Sequence, residues 1–572
     1  MPEQRVERVD ELPIVMLWLE KMGVRTIIND TWRPHGNWKG LDYGQLAVFF
    51  LTYVISSFNH RLCYMENWVE DHQNSLRKIS GWEFNPKDAT DDRLGIILEE
   101  LGSDDEQIIQ FQEAMGRNVI VAYDLPTEIG RYDTTSCSVF HEANENNKKL
   151  LRHGHSKDHR PELLQFKQGL GTLDPAGVPL IAETIAGNVA DDTLYLKAWH
   201  RLADIMNRQD FLYVADCKAA AIDTRAGIAQ NGGRYLFPLP KTGDTPKLLQ
   251  TMVLQPPSKP EVIYLQDPDG KPRKIGRGFV NSRIVDTNGT AAFEWEERLF
   301  VLQSTSYAKS QKKACVKRLG KAEEALLNLK PKKNEAASEL HQRAEKILQT
   351  HKCQDLISLE VEETVYHQYK NVGRGRPAEN SKKRLIETKQ STLHFKRDRV
   401  AIKQYLKLAG WRIYVTNATA DEMSLEQSVR HYRNEWLVEH GFHRFKNGSL
   451  PALPIFIRTP ERIKGLMMML TIALQGLTLI EYVARRNLAE AGETLAGLVP
   501  GNPKRSTARP TAERLLAQFS NLHLLITESG KTVSCQLLET LSPLQRLILK
   551  LLNVSSEIYE LTFSAPKFAD SA

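Results

Sequence analysis

The stretch GRYDTTSCSVFHE, residues 130–142, alternates polar and apolar side chains with a period of two, which predicts a β-strand. Two later stretches alternate in the same way, QFKQGLGTL at residues 165–173 and VPLIAETIAGN at residues 178–188. The tetrapeptide DPAG between these two stretches supplies a turn. We therefore expect three consecutive strands that form a meander.

Helical and strand-like segments alternate after the meander. The predicted elements are a helix in DDTLYLKAWHRLADIM (191–206), a buried strand in FLYVADC (211–217), a helix in AAAIDTRAGIAQNGG (219–233) and a strand in RYLFPLP (234–240). The order βββαβαβ indicates an α/β fold with a mixed sheet flanked by helices. Because a crossover helix precedes it, the fourth strand is expected to run parallel to its neighbour.

The rest of the chain extends this core at both ends and interrupts it once. WRIYVTN (411–417) predicts a returning strand, and a long helix is expected to begin at the capping pattern Ser424-x-x-Gln427. The predicted regions are a helical N-terminal domain (1–120), the first part of the core (121–240), a β-rich and helical insertion (241–400), the second part of the core (401–490) and a helical C-terminal region (491–572).

Length and composition exclude several classes of protein. A chain of 572 residues is too long for one core, and 41% hydrophobic with 26% charged residues argues against wholesale disorder and collagen-like repeats. The six cysteines lie far apart without a C-x-x-C pair, which argues against a disulfide framework or a thiolate zinc site. A reducing cytosol is the expected compartment.

The most apolar stretch runs from residue 465 to residue 483. It contains Gln475, Glu481 and two glycines, so a buried core helix is favoured over a membrane span. The N-terminal sequence MPEQRVERVDELP lacks the features of a signal peptide. We therefore expect no membrane association.

Positive charge is concentrated in one segment of the chain. The net charge is only +6, yet residues 306–400 carry 22 basic against 12 acidic side chains, whereas residues 1–120 carry 12 against 20. A basic excess of this size suits a phosphate backbone as partner. Residues 308–329 and 334–349, on either side of Pro331, have helical apolar spacing and predict two helices. A solvent-exposed, lysine-rich helical hairpin explains the same composition, and the two interpretations are compatible.

Three acidic residues lie where a sheet would gather a functional site. Asp133 is in the middle of the first strand, Asp216 closes the buried strand, and Glu439 lies on the helix after the returning strand. Carboxylates that converge in this way are ligands for Mg²⁺ or Mn²⁺, and two such ions support phosphodiester chemistry. Taken alone, each carboxylate is better explained as a surface or capping residue.

The helix that carries Glu439 adds a second pattern. In HYRNEWLVEHGFHRFKN (431–447), Tyr432, Glu439 and Lys446 are spaced by seven residues, which places them within about 20° of one helix face. A packing stripe of heptad type would also have this spacing. Glu and Lys are poor buried residues, which favours a functional stripe.

These motifs resemble those of bacterial insertion-sequence DDE transposases with a Tyr…Glu…Lys helix signature. RYDTTSCSV resembles the strand of the first aspartate in that family, GHSKDHRPELLQ the following strand entry, and LYVADCKAA the strand of the second aspartate. The resemblance covers roughly residues 120–490. It implies an RNase H-like catalytic core with a β-rich insertion between the second aspartate and the glutamate.

The resemblance also implies a function and its residues. Asp133, Asp216 and Glu439 would bind two Mg²⁺ or Mn²⁺ ions, and Tyr432 and Lys446 would contact DNA at the transposon end. The implied partners are double-stranded DNA of the transposon ends and of the target, and a second copy in a homodimer. Residues 1–120 would be the region for end recognition and residues 491–572 a candidate for dimerisation. The implied location is a bacterial cytoplasm, on the nucleoid when DNA is bound.

Two features near the signature depart from it or compete with it. The family often has Arg three residues after the Tyr, whereas this chain has Glu435, and either Arg433 or Arg444 could replace that phosphate contact. Glu435 lies one turn before Glu439, but only Glu439 stands seven residues before the lysine. Asp124 lies close to Asp133 in a turn-like stretch, and the resemblance selects Asp133.

Two further motifs have competing interpretations. His153, His155 and His159 could form a transition-metal site, but polar contacts between strands, or contacts to DNA through Lys157 and Arg160, are favoured. In VGRGRPAENSKKR, Arg374 and Arg376 resemble an A·T-hook that follows the minor groove. A flexible basic loop explains the same residues.

The sequence thus predicts an enzyme that cleaves the element's ends with divalent metal ions and transfers the released strand to target DNA. One alternative is an RNase H-like DNA nuclease without strand transfer. A second alternative is a DNA-binding derivative whose catalytic centre is inactive.

Overall fold

The computed structural model describes residues 3–266, 271–287, 293–372, 383–529 and 532–566. It divides into two compact units, which we call unit 1 and unit 2. Unit 1 comprises Met1–Phe237, Val285–Trp295 and Arg430–Ala572. Unit 2 comprises Pro238–Ile284 and Glu296–Val429.

The N-terminal part of unit 1 is helical after one short strand. Its elements are β1 (Glu3–Arg8), α1 (Leu12–Lys21), α2 (Val24–Thr31), α3 (Tyr43–Ser57), α4 (Met65–Asp71), α5 (Gln73–Ser80), α6 (Asp91–Ser103) and α7 (Asp105–Tyr123). Side chains define several helix starts: Asp42 and Gln45 form a reciprocal capping box at α3, and Asp104 caps α7. The prediction of helices in this region is confirmed, but strand β1 was missed.

The meander and the alternating elements of unit 1 follow. They are β2 (Ile129–Val139), β3 (Leu164–Leu173), β4 (Val178–Ala186), α8 (Leu194–Met206), β5 (Leu212–Ala215), α9 (Ile222–Gln230) and β6 (Arg234–Pro238). Neighbouring strands lie in the order β4-β3-β2-β5-β6. The first three strands are antiparallel, and β5 is parallel to both β2 and β6, as the sequence predicted.

Strand β3 differs from its predicted pattern because all ten of its residues are buried. A strand whose two faces alternate between core and solvent would bury only half of them. Helices α7 and α8 and the later helix Pro460–Ala491 all pack against the neighbouring strand β4, so this part of the sheet is covered by helices. The alternation in the sequence therefore reflects polar side chains that are buried, among them Gln165, Lys167 and Gln168.

Unit 2 contains most of the segment between the second aspartate and the signature helix. Its elements are α10 (Thr245–Leu254), β7 (Glu261–Gln266), β8 (Pro272–Asp286), β9 (Glu294–Ser304), α11 (Thr305–Leu327), α12 (Ala337–Thr350), β10 (Ile357–Asn371), β11 (Lys383–Arg397), α13 (Arg399–Leu408), β12 (Trp411–Thr416) and the first part of α14 (Leu425–Arg433), which enters unit 1 at Arg430. Strands β12, β9, β8 and β7 are neighbours in that order, and β10 pairs with β11 alone. The two predicted basic helices are confirmed as α11 and α12.

The last part of unit 1 contains both helices and strands. Its elements are α15 (Trp436–Asn447), α16 (Pro460–Ala491), β13 (Leu495–Ala496), β14 (Ser506–Thr507), α17 (Ala512–Leu516), β15 (His523–Ser529), β16 (Thr532–Leu537), α18 (Pro543–Leu551) and β17 (Phe563–Pro566). The prediction of a helical C-terminal region is therefore wrong in part. Strand β15 pairs with β16, which follows it directly in the chain, and with β1, which lies 515 or more residues earlier.

Helix α16 is long and apolar enough to span a membrane by length and composition, but 94% of its most apolar window is buried within the protein. It packs closely against α6 because glycines stand at the contact. A Cβ atom at Gly102 would lie 1.9 Å from the Glu461 carbonyl oxygen, and one at Gly465 would lie 2.0 Å from that of Leu98. The residues thus form a core helix, as the sequence predicted.

Candidate active site

Asp133 and Asp216 are neighbours on two parallel strands of unit 1. The register of β2 and β5 pairs Tyr132 with Ala215, and each aspartate is the next residue along its strand. Adjacent strands lie about 4.8 Å apart, so the two carboxylates leave the sheet side by side at the end of β5. The structure thus brings together two of the three predicted metal ligands.

The carboxylate of Asp216 is held by two donors. The buried hydroxyl of Tyr195, on α8, donates a 2.6 Å hydrogen bond to Asp216 Oδ1, and the backbone N–H of Lys218 donates one of 2.9 Å. Burial raises the pKa of Tyr195, and the nearby carboxylates of Asp216 and Asp133 raise it further. Tyr195 therefore remains a neutral donor that fixes the orientation of Asp216.

The carboxylate of Asp133 faces a lysine. Lys157 Nζ lies 3.5 Å from Asp133 Oδ1 and 3.1 Å from the Thr134 hydroxyl oxygen. Burial raises the pKa of Asp133 to about 6, the Lys157 ammonium opposes this rise, and the Asp216 carboxylate adds to it. Two carboxylates that repel each other beside one ammonium form an environment that attracts cations.

The signature helix is interrupted. Helix α14 ends at Arg433 and α15 begins at Trp436, so Tyr432 lies on a different helix from Glu439 and Lys446. The prediction that all three share one helix face is therefore wrong, and only Glu439 and Lys446 remain on one helix. The capping pattern predicted at Ser424 and Gln427 is confirmed by two reciprocal hydrogen bonds.

Arg131 binds the backbone at the interruption, where the His431 carbonyl oxygen also accepts from the Asn434 N–H. Its guanidinium forms a buried bidentate ion pair with Asp174 (2.6 and 2.7 Å) and also donates a 2.6 Å hydrogen bond to the His431 carbonyl oxygen. In a continuous helix that oxygen would accept from the N–H of Glu435, which instead donates to the Tyr432 carbonyl oxygen. Arg131 thereby anchors the signature segment to the strand of Asp133.

Glu435 is the glutamate that the structure places in the field of the two aspartates. Its side chain is half-buried, and burial raises its pKa to about 7. A hydrogen bond from Tyr432 opposes this rise, whereas the carboxylates of Asp133, Asp216 and Glu439 add to it. Glu439, one turn later, is exposed on α15.

No group of three His, Cys, Asp or Glu side chains that could hold a metal ion occurs in the described ranges. Asp133 and Asp216 fit two oxygen ligands of a divalent cation, but neither glutamate completes the set in this conformation. The same finding applies to His153, His155 and His159, which are exposed and described.

The residues predicted to contact DNA differ from one another in their surroundings. Lys446 Nζ forms a 2.7 Å ion pair with Asp158, which lies next to Lys157 in the chain. Arg444 is buried and paired with Glu481 and Glu513, so it does not replace a surface phosphate contact. Arg374 and Arg376 lie outside the described residues.

Tyr195, Lys157 and Arg131 are site residues whose roles were not predicted from the sequence. Tyr195 lies on the buried face of an amphipathic helix, where an aromatic residue signals only packing. Lys157 was noted as a DNA contact, not as the partner of Asp133. Arg131 did offer a signal, because an arginine two residues before Asp133 shares its strand face and needs a partner when buried.

Comparison with known proteins identifies one domain. Residues 340–475 match the family described as the transposase DDE domain, a range that includes Glu435, Glu439 and Lys446. No curated protein sequence matches the chain. Among solved structures, the chain is similar to the piggyBac transposase synaptic complex with hairpin DNA, at 9% identity over 91% of this chain and 82% of that chain, with a TM-score of 0.35.

Proposed function

From its transposase DDE domain, which identifies this chain as a DDE transposase, we propose that the protein binds the inverted-repeat ends of a bacterial insertion sequence. In this proposal it cleaves the DNA at those ends and joins the released strands to target DNA. The observation that carries the proposal is the adjacency of Asp133 and Asp216 on parallel strands in a chain with this domain.

We propose that the core has an RNase H-like fold. The support is a mixed sheet in which three antiparallel strands, β2 to β4, precede the two parallel strands β5 and β6. The segment between Asp216 and Glu439 contains the strands and helices of unit 2, which fits the plan of a core interrupted by an insertion.

The proposed metal ligands are Asp133, Asp216 and Glu439, for two Mg²⁺ or Mn²⁺ ions. Carboxylate oxygens are suitable ligands for hard divalent cations. The carboxylates of Asp133 and Asp216 lie close enough for the charge of Asp216 to add to the rise in the pKa of Asp133 that burial causes. Such ions, when bound, activate the attacking oxygen and stabilise the leaving oxygen of a phosphodiester. Glu439 would complete the set only after a movement of α15.

The protein's own residues prepare this site. Tyr195 orients Asp216, and Lys157 balances the charge of Asp133. Arg131 holds the start of the signature segment against β2 and so limits how far α15 can move. Together these contacts place the carboxylates before DNA arrives, and positioning supplies much of the rate in phosphoryl transfer.

The remaining parts of the proposal concern DNA and assembly. Tyr432 and Lys446 would hold the cleaved strand, and the basic insertion with Arg374 and Arg376 would bind duplex DNA with a steep dependence on salt. A homodimer would pair the two ends. The protein would act on the nucleoid of a bacterial cytoplasm.

Metal-dependent nicking of supercoiled plasmid tests the catalytic part of the proposal. We expect nicking by the wild type with Mg²⁺ or Mn²⁺, and its loss in Asp133→Asn. Asp124→Asn is the matched control, since Asp124 ends α7 in a left-handed conformation that Asn tolerates. Nicking by Asp133→Asn at the wild-type rate would contradict the assignment.

Joining of labelled end DNA to a target plasmid separates transposition from the nuclease alternative. Nicking without joining, with authentic element ends as substrate, would identify a nuclease. DNA binding without any nicking in either metal would identify the inactive derivative. Inverted repeats in the genomic DNA that flanks the reading frame would supply the end sequence for this experiment.

A further inference from the structure

Strands β10 and β11 form a long two-stranded ribbon whose far half is largely exposed, with only Ile386 and Thr388 half-buried among its described residues. The strands pair continuously from Ile357 with Arg397 to Asn371 with Lys383. Near its base the ribbon packs on the core of α11 and α12 through Leu359, Leu393 and Phe395. From Glu362 to Asn371, every residue of β10 is exposed. We call residues 364–371 and 383–390 the distal ribbon.

The two faces of the distal ribbon differ in charge. The register places four cross-strand pairs on the outer face, opposite to the face that packs on the helices: Thr364 with Gln390, Tyr366 with Thr388, Gln368 with Ile386, and Lys370 with Arg384. The outer face thus has two cations, four hydrogen-bonding side chains, an exposed tyrosine and no acidic residue.

The inner face carries compensated charges. His367 lies 3.7 Å from Glu387, and Lys389 forms a 2.8 Å ion pair with Glu363. On the outer face, by contrast, Lys370 and Arg384 are directly opposite each other, and neither is paired with a carboxylate among the residues that the structure describes. Like charges opposite each other destabilise a strand pair, so this position favours an anion.

The dimensions of the distal ribbon also fit an anionic partner, duplex DNA. An isolated two-stranded ribbon is only marginally stable, whereas the major groove of B-DNA is about 12 Å wide and admits such a ribbon. Eight residues of a strand span about 26 Å, less than the roughly 34 Å of one duplex turn. Thr, Gln, Lys and Arg side chains can donate to or accept from bases and phosphates in that groove.

We propose that the outer face of the distal ribbon docks into the major groove of duplex DNA, with Lys370 and Arg384 as its principal contacts. This inference rests on the proposed function, which supplies DNA as the partner, and it adds the surface, the groove and the residues. The inner face, with its balanced charges, remains turned away from the duplex.

Two charge-matched double variants of the full-length chain test the proposal. Lys370→Gln with Arg384→Gln alters the outer face, and Lys383→Gln with Lys389→Gln removes the same charge from the inner face. Binding to a fluorescein-labelled duplex of mixed sequence is measured by anisotropy over a series of salt concentrations. We expect the outer variant to lose about tenfold or more in affinity, with a salt slope lower by about one to two, and the inner variant to lose less than about threefold.

Equal losses in the two variants would overturn the proposal in favour of diffuse attraction by the basic insertion. Unchanged binding in the outer variant would overturn it directly. If the outer variant instead changes the sedimentation of the DNA-free protein, the face binds a second copy, and the proposal is wrong. Thermal denaturation of both variants shows whether the fold is intact.

Competition identifies the groove. We expect methyl green, a major-groove ligand, to displace the wild-type protein and netropsin, a minor-groove ligand, to leave it bound. The reverse result would overturn the docking mode. Plasmid nicking by the wild type is measured in parallel. If the wild type binds DNA through the outer face but never nicks the plasmid, only the proposed function is contradicted. If the wild type nicks normally and the outer variant binds DNA as tightly as the wild type, only this inference is contradicted.

Discussion

The hydroxyl of Tyr195 lies 2.6 Å from Oδ1 of Asp216 and donates a hydrogen bond to it. Tyr195 is fully buried, and its ring packs edge-on against that of Tyr132 at 5.5 Å. Without this hydrogen bond, the backbone N–H of Lys218 would be the donor left to hold this carboxylate. The tyrosine therefore fixes one of the two aspartates from within the core.

We expect Tyr195→Phe to raise the Mg²⁺ concentration that half-maximal nicking requires by about tenfold, because a hydrogen bond to a charged group contributes about 1.5–3 kcal/mol. The maximal rate at saturating Mg²⁺ should change less. Tyr132→Phe is the matched control, since its hydroxyl donates to Glu183 and not to an aspartate of the site. An unchanged Mg²⁺ requirement in Tyr195→Phe would show that Asp216 needs no such support.

The two neighbouring glutamates make separate predictions. If Glu439 is the third ligand, Glu439→Gln abolishes nicking, by about a hundredfold or more, while Glu435→Gln retains most of it. In the structure, Glu435 is the glutamate whose pKa the charges of Asp133 and Asp216 raise. The comparison of the two variants therefore decides which glutamate is the third ligand. Loss of nicking in Glu435→Gln with activity preserved in Glu439→Gln would exchange the two roles.

The raised pKa values predict how stability depends on pH. Glu435, with a pKa of about 7, and Asp133, with one of about 6, bind protons more tightly in the folded chain than in the unfolded chain, where carboxyl pKa values lie near 4. Their stabilising contribution is complete at low pH and is lost as the pH rises through 6 to 7. The thermal midpoint of the metal-free protein should therefore fall between pH 5 and pH 8.

Glu435→Gln should reduce that fall by about 2–4 °C, which corresponds to roughly 2–3 kcal/mol in a unit of this size. Mn²⁺ should have the opposite pH dependence and stabilise more at pH 8 than at pH 5, because its ligands must be deprotonated. Differential scanning fluorimetry with and without EDTA measures both effects. A fall of the same size in Glu435→Gln would mean that other groups, such as Glu11 with a pKa of about 7, cause it.

The ion pair between Asp158 and Lys446 predicts an effect on DNA binding. Asp158→Asn releases the lysine from its 2.7 Å contact, and we expect duplex affinity at low salt to increase by about twofold to fivefold. Lys446→Gln should weaken binding, and the double variant should behave like Lys446→Gln. An affinity gain that persists in the double variant would show that Asp158 repels DNA without involving Lys446.

The sequence predicted the central architecture because the signals for it are local. Each strand of the meander, the crossover helices and the parallel fourth strand have their own pattern of residues, whereas the two aspartates were selected among many carboxylates by the resemblance to a family. The basic hairpin of α11 and α12 is marked by helical spacing and a proline. These features depend on neighbours in sequence.

The features that the sequence analysis missed depend on distant partners. At the break between α14 and α15, the guanidinium of Arg131, about 300 residues earlier, donates to the His431 carbonyl oxygen. The pairing of β1 with β15 joins the two ends of the chain. Burial of Arg444 follows from its ion pairs with two glutamates on other helices. Residue spacing contains no information about such contacts.

The close contact of α6 with α16 through Gly102 and Gly465 has a consequence for modular engineering. The N-terminal segment is part of the hydrophobic core, because its backbone contacts the backbone of the central core helix. It therefore cannot be exchanged or removed as an independent recognition module. A truncated chain that begins after α7 would expose the apolar side of α16 to water and aggregate. Grafting a new DNA specificity onto this protein should therefore begin at exposed elements and leave the first 123 residues in place.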